Sequence, residues 1–259
     1  MTALLRTDGV SKAFGGVQAL DGATLEVDEG SIAGLIGPNG SGKTTLFNVI
    51  TGYERVDAGH VYLGGKDITN AAPDKVFAAG IGRTFQLTRV FSRLTVMENM
   101  IVAAQHHERG PGRLRNPLAR AGGPATRRRA MELLEFTGIA THAGALAETL
   151  SYGQRKLLEM SYVLMASPSI VLLDEPAGGV NPTLITVIAD RIRQLNEQGT
   201  TFLIVEHNMD FVMGLCDKVT VLDYGTAVVS GPPSVVRTDP KVLDAYLGTA
   251  EDDDDIPVG

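Results

Sequence analysis

The eight residues from Gly37 to Thr44 read G-P-N-G-S-G-K-T, with the apolar run I-A-G-L-I just before them and the helix-compatible T-L-F-N-V-I just after. Strand, glycine-rich turn and helix, in that order, are the setting that a phosphate-binding loop requires. Gly37, Asn39, Gly40, Ser41 and Gly42 form the cradle. Its glycines let the backbone curl so that successive N–H groups point inward, and the helix that follows turns its partial positive end toward the same anion. Lys43 adds a mobile cation for β- and γ-phosphates, and the Thr44 hydroxyl suits Mg²⁺.

Such a loop needs a carboxylate elsewhere for the metal, and the run I-V-L-L-D-E-P from Ile170 to Pro176 supplies one at the C-terminal end of a buried strand. Ligands in open parallel sheets bind at that end. Asp174 then holds Mg²⁺, and the adjacent Glu175 polarises the attacking water as general base. In L-S-Y-G-Q-R-K, from Leu150 to Lys156, Ser151 and Gln154 have the spacing of a capping box. The helix start also offers free N–H groups and a hydroxyl to a phosphate. His207 follows the strand T-F-L-I-V-E, where a single histidine is ordinarily structural, and Gln86 in R-T-F-Q-L-T carries no meaning by itself.

These residues need a scaffold, and the pattern of the chain provides one. Alternation from Val17 to Gly30 and a hairpin from Gly59 to Ile68 predict an antiparallel β-subdomain. Continuously apolar strands at Ile32–Ile36, Ile170–Leu173 and Thr201–Val205 predict a parallel core. An amphipathic helix is expected over Leu184–Glu197, and a hairpin turning at D-Y-G-T follows. From Gln105 to Arg129 the chain is rich in Arg, Gly and Pro and reads as an exposed, loop-rich insertion. The ending E-D-D-D-D-I-P-V-G reads as a disordered acidic tail over 249–259.

At 259 residues the chain has room for one large core with an appendage. Its net charge of -7 argues against nucleic acid as the main ligand. The single cysteine, Cys216, lies in an apolar pattern that predicts a core residue and a reducing compartment. No apolar run is long enough to span a bilayer and no signal pattern opens the chain, so the expected location is cytoplasmic, with membrane contact only through partners.

Taken in order, Phe14, GPNGSGKT, Gln86, LSYGQ, LLDEP, the turn G-G-V-N-P and His207 resemble the nucleotide-binding subunit of an ABC transporter, from Leu4 to about Gly248. The resemblance implies a P-loop α/β ATPase over 1–248, with a parallel core, an N-terminal antiparallel β-subdomain and an inserted α-helical subdomain at about 88–166. It implies that Phe14 stacks on adenine, that Gly40, Gly42, Lys43, Thr44 and Thr45 hold the triphosphate, and that Gln86 joins the Mg²⁺ and water shell. It further implies that Ser151, Gly153 and Gln154 contact the γ-phosphate of ATP on the opposite subunit, that His207 acts on the γ-phosphate beside Glu175, and that Gly178 to Asn181 connect the two sites. The implied partners are a second ATP-binding subunit, identical or paralogous, two transmembrane permease subunits and, indirectly, a substrate-binding protein. Such a subunit sits on the cytoplasmic face of the inner membrane. Apolar positions around Leu87 to Val96 are expected to be exposed and to dock a permease helix.

Two positions depart from the family pattern. Tyr152 replaces the first glycine of L-S-G-G-Q, and Asn181 stands where the turn usually carries Asp. Tyr152 is expected to lie outside the phosphate contact. S-Y-G-Q, A-G-G-V-N-P, V-E-H-N-M-D-F-V-M, I-G-R-T-F-Q and the ending D-P-K-V-L-D-A-Y-L-G, from Asp239 to Gly248, resemble the ATPases of branched-chain amino acid importers. Urea and short-amide importers share much of this pattern, a lipopolysaccharide exporter shares its ending, and soluble ABC-type ATPases form a further alternative.

Overall fold

The computed structural model describes residues 3–84, 90–107 and 122–247. The described elements begin with β1 (Ala3–Phe14), β2 (Val17–Asp28), β3 (Ile32–Ile36), α1 (Lys43–Ile50), β4 (Ala58–Leu63), β5 (Lys66–Asp67), α2 (Pro73–Ala78) and β6 (Ile81–Arg83). They continue with α3 (Val96–His107), α4 (Pro124–Thr137), α5 (Tyr152–Leu164), β7 (Ile170–Asp174), α6 (Pro182–Glu197) and β8 (Thr201–Val205). The last are α7 (Met209–Leu215), β9 (Lys218–Asp223), β10 (Thr226–Gly231), α8 (Pro233–Val236) and α9 (Pro240–Leu247). The chain forms two compact units, one of residues 1–79 with 201–259 and one of residues 80–200.

The first unit carries the predicted antiparallel sheet, in the order β2-β1-β4-β5. Along β2 the buried Ala23, Leu25 and Val27 alternate with exposed residues, and Thr7 pairs with Leu25 and Leu5 with Val27 in the antiparallel ladder to β1. One face is therefore core and the other solvent, which fixes the register, since a slip of one residue would turn the apolar set outward. The same unit holds the order β10-β9-β3-β8, in which β3 runs parallel to both β8 and β9. All five residues of β3 and of β8 are buried, the pattern of strands covered on both faces. Each fully buried aliphatic side chain contributes about 1.5–3 kcal/mol. The predicted hairpin about Asp223–Thr226 is β9 with β10.

In the second unit β6 and β7 pair in parallel, Ile81 with Ile170 and Arg83 with Leu172. Around them α3, α4 and α5 bury Met100, Ala103, Leu133, Leu134 and Leu158, and the hydroxyls of Thr137 and Ser161 meet at 2.9 Å between α4 and α5. Asn181 caps α6 by accepting from the Leu184 N–H at 2.9 Å, and Pro182 sits in the first turn.

Two expectations change here. The helical pattern R-R-R-A-M-E-L-L-E-F, expected to follow the insertion from Arg127, is α4, and it starts earlier, inside the stretch read as loop, because Pro124 occupies a first-turn position where its missing N–H costs nothing. The apolar stretch near Val96 is also less exposed than expected. Phe91 is 48% exposed, but Val96 is fully buried. The cause is local: Thr95 and Glu98 exchange backbone and side-chain hydrogen bonds in a capping-box pattern that starts α3 and turns Val96 inward. Leu87 and the acidic tail lie outside the described residues.

Candidate functional site

The first unit contains the phosphate-binding loop. Leu46 N–H donates to the Gly42 carbonyl, which opens α1 directly from the loop. Gly42 has φ 101°, and a Cβ there would lie 2.4 Å from the Ala19 carbonyl oxygen, so both conformation and space demand glycine. At Gly37 a Cβ would stand 2.0 Å from the Leu222 carbonyl oxygen. Lys43 is buried, and its ammonium donates to the Gly37 and Pro38 carbonyls at 2.8 and 2.7 Å and to the Ser41 hydroxyl at 3.3 Å. A cation folded onto its own loop by neutral oxygens is suited to exchange them for phosphate oxygens, which bind it more strongly. Asn39, Gly40 and Thr44 are exposed, and Thr45 is half-buried.

Phe14, at the end of β1, is 44% exposed, with the Lys12 ammonium 5.1 Å from its ring centroid. Asp57 braces this strand end by accepting from the Ala13 N–H at 2.7 Å, and that bond holds the Asp57 carboxyl below its ordinary range. His207, just past β8, is exposed rather than a buried structural residue, and its N–H donates to the Glu206 carboxylate at 3.0 Å.

The second unit contains the carboxylates and the helix start. Asp174 ends β7, buried, and pairs with Arg83 at 3.1 Å, each side chain 7% exposed. The half-buried Glu175 has φ 49°, left-handed and uncommon for a residue with a side chain. Its carbonyl accepts from the Gly178 N–H and from the Lys156 ammonium. Ser151 and Gln154 form the predicted capping box at the start of α5: the Ser151 hydroxyl accepts from Gln154 N–H, and the Gln154 side chain accepts from Ser151 N–H. The other end of the Gln154 amide meets His142 Nε2 at 2.9 Å. The Tyr152 ring lies back over Gly179, where a Cβ would be 3.1 Å from its edge. Because Asn181 caps α6 as Asp would, its departure from the family pattern keeps the cap.

The phosphate loop, Phe14 and His207 thus fall in one unit, and Asp174, Glu175, Ser151, Gly153 and Gln154 in the other. Gln86 lies outside the described residues. Sequence reasoning missed Arg83, His142 and Lys156. Only Lys156 carried a signal, a lysine one turn past Tyr152 on the buried side of a helix, where Glu159 is the other charged residue.

The model of the family described as "ABC transporter" matches residues 20–178, a span that takes in the phosphate loop, the Ser151 helix start and both carboxylates. The chain belongs to the ABC transporter family. It is an ATP-hydrolysing, nucleotide-binding cassette of that family. A second model, described as "Branched-chain amino acid ATP-binding cassette transporter", matches residues 228–252. The chain is 38% identical to the high-affinity branched-chain amino acid transport ATP-binding protein LivG of Salmonella typhimurium, over 95% of this chain and 98% of that one. It is 36% identical to the BraF protein of the same description from Pseudomonas aeruginosa, with the same coverage. Among solved structures, a nucleotide-free ATP-binding cassette of an ABC transporter matches with TM-score 0.84 and 36% identity, over 95% of this chain and 99% of that one. The ADP conformation of such a cassette matches with TM-score 0.82 and 34% identity, over 96% and 100%. The P-loop α/β fold of ABC ATPases is therefore the fold of this chain. Among the described residues no helix is long and apolar enough to cross a membrane.

Proposed function

We propose that this cassette powers an importer of branched-chain or other hydrophobic amino acids. The observation that carries the reading is the match of its C-terminal segment to the branched-chain cassette model, alongside relatives of that description over nearly the whole chain. Uptake of labelled leucine and of labelled urea, in cells with and without the chain, tests it. Loss of leucine uptake alone supports the proposal, and loss of urea uptake alone overturns it.

In this reading Phe14 stacks on adenine, and Gly37, Asn39, Gly40, Ser41, Gly42, Lys43, Thr44 and Thr45 hold the triphosphate. The hard oxygen donors of Thr44, Gln86 and Asp174 suit Mg²⁺. The buried Asp174 fits that role because Arg83 pairs with its Oδ2 and leaves the other carboxylate oxygen to a cation. The metal, when bound, supplies positive charge to the phosphate oxygens. Glu175 accepts the proton of the attacking water, and His207 steadies the γ-phosphate. Two such chains, or this chain and a paralogue, close on two ATP molecules, with Ser151 and Gly153 of each reaching the γ-phosphate on the other and Gln154 holding the Ser151 peptide in place. Binding then favours the closed dimer and hydrolysis removes the bridge, so the γ-phosphate shifts the population between two states. Two permease subunits carry that motion across the membrane, a binding protein delivers the substrate, and the cassette rests on the cytoplasmic face.

The experiment is Mg²⁺-dependent ATP hydrolysis by the parent and by Glu175→Gln, each also sized in ATP. A general base contributes about 10²- to 10⁴-fold. The expected result is a loss of that order, with a variant that accumulates as an ATP-bound dimer. Full turnover by Glu175→Gln removes Glu175 from the role.

A further inference from the structure

We infer that Lys156 is a positioning residue for Glu175, binding its carbonyl and thereby setting the direction in which the carboxylate is presented. The inference rests on the reading of Glu175 as general base.

Glu175 occupies a backbone conformation that needs external support. It precedes Pro176, which steers a residue away from the right-handed helical region, and at φ 49° it lies in the left-handed region instead. Such a conformation persists only where its surroundings over-determine it. The contacts of the Glu175 carbonyl supply that support from two sides. Gly178 N–H donates to it at 3.1 Å from within the same turn, and the Lys156 ammonium donates to it from α5.

Lys156 is itself held in place. It is 8% exposed, and its ammonium stands 5.6 Å from the centroid of the Tyr152 ring, one helical turn back on the same face. A buried ammonium requires partners, and here they are the Tyr152 π-face and the Glu175 carbonyl. The Tyr152 ring in turn packs on Gly179. The start of α5 and the segment carrying Glu175 are therefore tied by one cation. The residue that departs from the family's glycine, Tyr152, supplies one wall of that tie.

The test compares ATP hydrolysis by the full-length chain carrying Lys156→Met or Lys156→Arg, each alone and combined with Glu175→Gln, with thermal melting of every variant. For a residue acting through the base, Lys156→Met lowers kcat about 10-fold and leaves KM for ATP nearly unchanged, because substrate binding is untouched. Lys156→Arg, which keeps a charged donor, restores a substantial part of kcat. Added to Glu175→Gln, Lys156→Met causes no further loss, since the group it orients is already gone. Unchanged kcat in a folded Lys156→Met variant overturns the inference. So does an equal fold-loss in the Glu175→Gln background, or Lys156→Arg no faster than Lys156→Met. Should Lys156→Met not fold, Lys156→Gln against Lys156→Arg decides by the same comparison. Glu175→Gln alone tests the underlying reading: if it turns over normally the base assignment fails, and if it is slow while Lys156→Met is normal, only the Lys156 inference fails.

Discussion

The phosphate loop of the first unit and the carboxylate segment of the second handle buried charge in opposite ways. Among its contacts, Lys43 donates to two carbonyls and a hydroxyl of its own loop, groups that an anion displaces readily. Asp174 is held by a full opposite charge, Arg83, and the Glu175 peptide by another cation, Lys156. The first arrangement stores a cation for a ligand, whereas the second fixes acidic residues whether or not a ligand is present. One site region is therefore built to rearrange on binding and the other to stay where it is.

The largest expected effect comes from breaking the fixed region. Arg83→Leu leaves Asp174 buried without the guanidinium that neutralises it and costs about 3–5 kcal/mol of stability, read as a lowered Tm. Combining it with Asp174→Leu recovers much of that Tm, since an apolar pair replaces an ion pair at little net cost. In the loop, Lys43→Ala lowers hydrolysis by about 100-fold while leaving Tm nearly in place, because water can replace the bonds it gives the Gly37 and Pro38 carbonyls and the Ser41 hydroxyl. A Tm loss as large as that of Arg83→Leu would erase the contrast. Gly42→Ala forces a Cβ toward the Ala19 carbonyl at positive φ and costs about 1–3 kcal/mol by urea melt.

The smallest effect concerns Cys216, buried in the first unit. Burial pushes its thiol up from 9.0 to about 12. Because the folded state binds that proton more tightly, its contribution to stability is complete below pH 9 and is lost as pH rises toward 12. A thiol reagent at about pH 8 should therefore label Cys216 only after unfolding. Labelling of the native chain at the unfolded rate would show that this part of the unit is open.

What the sequence revealed and what it hid divide along the distance between interacting residues. The loop is eight contiguous residues, and the capping box joins positions three apart, so their chemistry lies within reach of pattern. Asp174 and Glu175 were placed by the apolar strand that precedes them. Arg83 pairs with Asp174 from 91 positions away, and no local spacing announces it. The Lys156 bond to Glu175 crosses from one helix to another segment, 19 positions on. His142 on Gln154 was hidden in the same way. Val96 was misread for a different reason: a run of apolar residues after Gln86 suggested a surface, but the Thr95–Glu98 cap decides which of them turns inward.

The neighbours of β3 also determine when the protein can grip a nucleotide during its own synthesis. Both ladder partners of β3 come from residues 202–205 and 218–221, and the loop is closed by the Leu222 carbonyl at Gly37 and by the Gly225 N–H on the Ser41 carbonyl. A ribosome adding about 5–20 residues per second leaves roughly 10–40 s between emergence of the loop and emergence of its braces. During that interval β3 is an unpaired apolar strand, a natural client for chaperones. A chain that stops early carries the whole phosphate-binding sequence and still holds no ATP.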